Sequence, residues 1–201
     1  MAVVGIDAFK SKLTGGGARA NLFQVTLNFP GYAGGSSELA SFMVKAASLP
    51  ASTIGKIEIP FRGRVLKIAG DRTFDVWNTT IINDVNMPIR NAIERWMNGI
   101  NNHVANTGRS NPRDYQVDLK VDQLDKGGNV TKSYIIRSAF PTSCGAIELS
   151  NDTNDAIQEF PVTFEYQYWE SSTTPSSGSG GLSVGGSFSV GGVTIGGSIG
   201  I

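Results

Sequence analysis

Two-residue alternation of apolar and polar side chains begins at Leu22. Phe23, Val25, Leu27 and Phe29 fall on one side of an extended chain and Gln24, Thr26 and Asn28 on the other, until Pro30-Gly31 turns it. The pattern returns as Tyr115, Val117, Leu119 and Val121 against Gln116, Asp118, Lys120 and Asp122. It returns again as Phe160, Val162, Phe164, Tyr166 and Tyr168 against Pro161, Thr163, Glu165 and Gln167. Asp125-Lys-Gly-Gly128 predicts a turn that brings 130–140 back as a partner strand. Residues 73–82, rich in Thr, Val, Ile, Phe and Trp, read as a further strand, and 146–149 as a short one. Residues 39–47 and 57–68 predict the limbs of a long hairpin. The segment 48–55 between them is a loop, because Pro50 and Gly55 break regular strand.

One segment has a different period. Ile89, Ala92, Ile93, Trp96, Met97 and Ile100 recur at the spacing of a single buried helical face, with Arg90, Glu94, Arg95 and Asn98 on the others. Asp84 or Asn86 is placed to cap this helix, Pro88 suits its first turn, and Gly99 with the Asn-rich stretch after it ends it. A single helix, at about 87–100, is expected. The fold class is therefore α+β and mainly β: two antiparallel sheets in a sandwich or partial barrel with one flanking helix.

The ends differ from this middle. Residues 1–18, closing on Thr14-Gly-Gly-Gly17, read as a flexible arm, and 19–170 as the domain. Residues 171–201 contain no charged side chain and are dominated by Gly and Ser. Apolar residues recur there in blocks, with Leu182, Val184, Phe188 and Val190 of one parity and Val193, Ile195, Ile199 and Ile201 of the other. That parity changes at Gly191-Gly192, a place for a bulge or turn. The tail is expected to order against neighbouring subunits in an assembly.

Composition narrows the function. In 201 residues, 17 basic side chains balance 17 acidic ones, which argues against a surface built to neutralise phosphates and leaves little self-repulsion between copies. One cysteine, Cys144, excludes an internal disulfide and a zinc-cysteine cluster. Met1–Asp7 lacks the pattern of a secretory signal, and no apolar run is long enough to span a membrane as a helix. His103, the sole histidine, follows the helix in a polar segment and reads as a solvent-facing loop residue. Cys144 reads as a small, partly buried side chain. Asn151–Asp155 lacks calcium-loop spacing. The carboxylate pairs Asp71/Asp75 and Asp118/Asp122 read as polar sheet faces rather than as an acid–base pair. No catalytic residue, metal site or cofactor site is assigned.

Four segments carry a resemblance: Asn21-Leu-Phe-Gln-Val25, Ser48-Leu-Pro-Ala51, the run from Lys67-Ile-Ala-Gly-Asp-Arg-Thr-Phe74 to Asp84, and Tyr168-Trp-Glu170. Over roughly 19–170 the chain resembles the tail tube proteins of contractile-tailed bacteriophages. The resemblance implies hexameric β-barrel rings stacked into a hollow conduit for genome delivery inside a contractile sheath, without enzymatic activity. The implied partners are further copies of the chain, the sheath, baseplate and tail terminator proteins, and, in the lumen, the tape-measure protein and DNA bound without sequence specificity. The implied location is the virion, after assembly in the host cytoplasm. Leu49, Pro50, Ala51, Thr53, Ile54 and Gly55 match the ring-stacking loop, and Asp118, Asp122 and Glu165 are candidates for lining the lumen. Ile89, Ile93, Trp96, Met97 and Ile100 form the core face of the helix. An alternative with the same fold is the inner tube of a phage-derived contractile injection or secretion system. A more distant one is a small β-sandwich hydrolase using His103.

Overall fold

The computed structural model describes residues 5–13, 15, 17–152, 154–174, 189–190 and 193–194. Its organising strand is β7 (Val130–Cys144), which belongs to two layers at once. Its first half pairs with β6 (Val117–Leu124) and β9 (Tyr168–Ser171), and β6 pairs in turn with β1 (Phe23–Thr26). Its second half pairs with β8 (Glu159–Glu165), which continues to β5 (Trp77–Ile82) and β2 (Val44–Ala47). All these pairings are antiparallel, and the strand path runs β1-β6-β7-β8-β5-β2 without closing on itself.

The change of layer happens at one corner. Ser138 adopts φ 55°, a left-handed conformation rare for a side chain with a Cβ. Asp118 holds that corner: it accepts the Ser138 amide at 3.0 Å and an Arg137 guanidinium nitrogen at 2.6 Å. The β8–β9 segment bends at the same level, where Gln167 N–H donates to the Arg137 carbonyl at 3.1 Å. The alternation from Phe160 to Tyr168 is thus two strands, one in each layer, where a single strand was expected.

The inner faces of both layers fill one core. Val25, Leu27, Leu119, Val121 and Ile136 come from the first, and Trp77, Ile81, Phe160, Val162 and Phe164 from the second. Helix α3 (Pro88–Ile100) adds Ile89, Ala92, Ile93 and Trp96, all buried, with Met97 and Ile100 half-buried against the same cluster. The Trp96 ring meets Phe29 edge-on at 5.9 Å and Phe164 at 6.1 Å, and its indole N–H donates to the Tyr115 carbonyl at 2.8 Å. Burying an aromatic ring together with a satisfied N–H keeps the apolar gain without a desolvation cost.

Several expectations need correction. Among the described residues there are three α-helices: α1 (Ile6–Lys12) lies in the N-terminal arm, and α2 (Ser37–Met43) replaces most of the limb expected at 39–47. Ser36 caps α2 by accepting the Leu39 amide, and Glu38 sits in its first turn. The cap of α3 is Met87 at φ 49°, with neither Asp84 nor Asn86 capping by side chain. Residues 146–149 are irregular. Residues 73–82 divide between β4 (Arg64–Phe74) and β5. Ser171, the first residue of the tail, is buried as the last residue of β9 and bridges to Thr174. Beyond Thr174 the described tail residues are β10 (Ser189–Val190) and β11 (Val193–Thr194), an antiparallel pair. The remaining apolar tail positions lie outside the described residues.

Candidate assembly surfaces

The long hairpin is β3 (Ser52–Phe61) with β4, and its turn is Arg62-Gly63 rather than 48–55. Both turn residues have positive φ, 48° and 80°, the type I′ geometry that matches the twist of a two-stranded ribbon. Residues directly opposite each other share a face. Register Ile57↔Ile68 and Ile59↔Leu66 therefore puts four large aliphatic side chains on one face, continued to the tip by Phe61 opposite Arg64. The other face carries Lys56↔Ala69, Glu58↔Lys67 and Pro60↔Val65. Every side chain of the apolar face is exposed, Phe61 by 66%. Ten residues per limb make a projection of about 30 Å.

The root is fixed, in contrast to the tip. Tyr166 O–H and the Trp169 indole N–H both donate to the Ala51 carbonyl, at 3.4 and 3.2 Å, and the Phe74 ring lies 6.1 Å from that of Tyr166. Burial, with Asp75 and Glu165 nearby, pushes the Tyr166 phenol up to about 12, so it remains a donor at neutral pH. Of the sequence-matched stacking residues, Leu49, Ala51, Thr53, Ile54 and Gly55 are exposed and Pro50 is buried. Thr53, Ile54 and Gly55 belong to β3, with a register shift between Ile54 and Lys56, whereas Leu49, Pro50 and Ala51 lie in the irregular segment that leads into it; together they form the hairpin root. The large apolar face beyond it escaped sequence reasoning. Its signal was the alternation of Ile57, Ile59 and Phe61 running into Arg-Gly.

The three lumen candidates separate. Asp118 and Asp122 lie on the outward face of the first layer, whereas Glu165, opposite in parity to the buried Phe164, lies on the outward face of the second. Asp122 is only 5% exposed, accepting from the Ser133 hydroxyl and pairing with Lys120 at 2.8 Å. Arg137 joins Asp118 to Glu170, 3.0 Å away, and those carboxylates hold its guanidinium above its usual range, Glu170 first. That face thus carries Lys120 and Arg137 against Asp118, Asp122 and Glu170, with no positive excess.

The remaining reactive side chains stay apart. His103 is exposed beside Asn91, Glu94, Arg95 and Asn98 in a shallow groove of about 260 Å³. Cys144 is half-buried in β7, where burial pushes its thiol up, away from the thiolate a nucleophile needs. Among the described residues no group of His, Cys, Asp and Glu is arranged to hold a metal ion, and no helix is long and apolar enough to cross a membrane.

Comparison with known proteins agrees with this reading. The family pattern described as "Phage tail tube protein" matches residues 18–172. Tail tube protein gp19 of Enterobacteria phage T4 is 35% identical over 168 residues, covering 82% of this chain and 98% of that protein. The tail tube protein of Serratia phage KSP90 is 30% identical over 165 residues, covering 80% and 93%. Among solved structures, the fold is similar to the sheath/tube terminator of an extracellular contractile injection system, with TM-score 0.55, 15% identity, and coverage of 76% of this chain and 94% of that one. It is also similar to the tube-terminating cap of the anti-feeding prophage, with TM-score 0.53, 22% identity, and coverage of 77% and 89%. The chain belongs to the phage tail tube protein family and is a tail tube protein of the contractile-phage type.

Proposed function

We propose that this chain is the repeating unit of a hollow tube in the virion, in which six copies close into a ring and rings stack along an axis. The observation that carries the reading is the uncovered apolar face of the β3–β4 hairpin. A two-stranded ribbon is at best marginally stable in water, and the apolar face of this one is left exposed by the described residues of its own subunit. Other copies supply the cover. The open sheet supports ring closure as well, because β1 and β2 end the strand path and each offers an outer edge for a neighbour to meet. Stacking is assigned to the hairpin, with Leu49 and Ile54 at its root.

A ring has one inner wall, so the lumen is lined by the face of Asp118 and Asp122 or by the face of Glu165, not by both. The first has no basic excess, which lets DNA and a tape-measure protein pass without being held. Solved relatives of this fold include a sheath–tube complex and a baseplate assembly of contractile injection systems. Sheath, baseplate and terminator proteins are the corresponding partners here, and the subunit has no catalytic role. Assembly takes place in the host cytoplasm. The phage reading stands ahead of an injection-system tube because the relatives at 30% identity or more are phage proteins. Negative-stain microscopy with light scattering on concentrated protein is expected to show rings or tubes. A monomer that persists under all conditions, including with a baseplate-type nucleator, overturns the reading.

A further inference from the structure

The hairpin and its receptor are marked by charge. Residues 52–74 carry Lys56, Arg62, Arg64, Lys67 and Arg72 against Glu58 and Asp71. Only Lys56 and Glu58 pair with each other; the cations at the tip form no ion pair among the described residues. Arg62 instead lies over the Phe61 ring, 5.3 Å from its centroid. The tip is therefore aromatic and basic.

One other surface has the opposite character. The segment 146–159, which joins β7 to β8, carries Glu148, Asp152, Asp155 and Glu159 and no basic residue. Glu159 is paired with Lys45, but Glu148, Asp152 and Asp155 form no ion pair among the described residues. Two aliphatic side chains stand out of this acidic segment, Leu149 at 78% exposure and Ile157 at 74%. Together with Ile147 they line an open groove of about 690 Å³.

The positions of the two surfaces complete the argument. β8 begins at Glu159, where the acidic segment ends, and finishes beside Tyr166, which anchors the hairpin root. β5 runs the other way, from Trp77 behind the hairpin to Ile82, paired with Glu159. Hairpin root and acidic groove therefore lie at opposite ends of the same sheet, about 20 Å apart along seven-residue β8. Among the described residues no ion pair joins the two within one subunit, so each is left open to a second copy. Between copies they make a head-to-tail contact that repeats without closing.

We infer that the Phe61–Arg64 tip of one subunit docks into the groove lined by Ile147, Leu149 and Ile157 of a second copy of this chain, next along the tube axis. Phe61 meets Leu149 and Ile157, while Arg62 and Arg64 face Glu148, Asp152 and Asp155. This rests on the tube reading and adds the receptor that the hairpin requires.

The test is a charge exchange in the full chain. Asp152→Lys with Asp155→Lys reverses the groove, Arg62→Asp with Arg64→Glu reverses the tip, and a third variant combines all four. Asp at 62 keeps a residue that tolerates the left-handed turn. Circular dichroism and melting of the unassembled subunits establish that each variant is folded. Each reversed pair is expected to raise the concentration needed for tube growth by tenfold or more, and the combined variant to recover most of that loss. Growth of the unaltered chain should weaken as salt rises from about 0.05 to 0.5 M, which shortens the screening length from more than 10 Å to about 4 Å. Folded groove-reversed subunits that grow tubes like the unaltered chain overturn the inference, and so does a combined variant no better than its parents. Unaltered chain that yields neither rings nor tubes removes the tube reading, and the inference with it.

Discussion

Asp118 does more for the fold than its place in a polar strand suggests. Its two oxygens take the Ser138 amide and the Arg137 guanidinium, so one carboxylate stabilises both a left-handed residue and the strand leaving it. The side chain is 44% exposed, which screens the ion pair, while its other oxygen holds the Ser138 amide at 3.0 Å. Asp118→Ala is expected to lower unfolding stability by about 1–2 kcal/mol, near the value of one charge-assisted hydrogen bond reduced for solvent. Urea denaturation measures it, and an unchanged midpoint contradicts the corner assignment. A second residue, Asp125, organises the β6–β7 turn by accepting the Gly127 and Asn129 amides at 2.7 and 2.9 Å. Asn129 is the main cause that holds its carboxyl below the usual value. Because the folded group is the stronger acid, this contribution is present above its unfolded value near 4 and fades as pH falls through the folded one. Protection of the Gly127 amide, taken relative to its intrinsic exchange rate at each pH, should fall in that acid range, whereas unchanged protection there contradicts the assignment.

Elements were legible where one period ran uninterrupted and hidden where it concealed a change of partner. Ile89 to Ile100 show the helical period and nothing competes with it. From Phe160 to Tyr168 the alternation in the sequence is unbroken, although the chain leaves one layer for the other at Tyr166-Gln167 and the dry side changes there: Tyr168, opposite Arg137, is exposed, and Trp169, opposite the buried Ile136, packs against the core. Pro50 and Gly55 drew the hairpin turn to the wrong place, because Arg62-Gly63 is a less familiar turn pair than Asn-Gly. Gly99 was read as a helix stop, but it lies inside α3 and has a packing role. A Cβ there would come within 2.2 Å of the Tyr32 ring, whose hydroxyl donates to the Trp96 carbonyl and whose face carries Arg109 at 4.1 Å. Gly99→Ala gains up to about 1 kcal/mol of helix propensity and loses about 1–3 kcal/mol to overpacking. Net destabilisation is expected in a urea titration, and a variant more stable than the parent would show that Tyr32 moves aside freely.

At the scale of the whole molecule, the core and the assembly surface are separate. Trp77, Trp96, Phe160 and Phe164 stabilise the subunit from within, while Ile57, Ile59, Leu66 and Ile68 face outward and do nothing for it alone. Ile59→Ser with Leu66→Ser, a directly opposed pair, is therefore expected to leave the subunit's stability within about 0.5 kcal/mol of the parent, as exposed substitutions do, and to abolish tubes. Tubes of normal length from that variant would move the assembly surface elsewhere. The candidate surfaces were only partly legible for the same reason: an apolar residue that waits for another copy looks, in one sequence, like an apolar residue of the core. The shared strand β7 has a mechanical meaning too. Because one continuous backbone runs from the first layer into the second, tension applied between the layers is carried at the corner by covalent bonds and not by a row of hydrogen bonds. The subunit is sewn through rather than laminated, and a load along the tube stretches a thread before it can peel a seam.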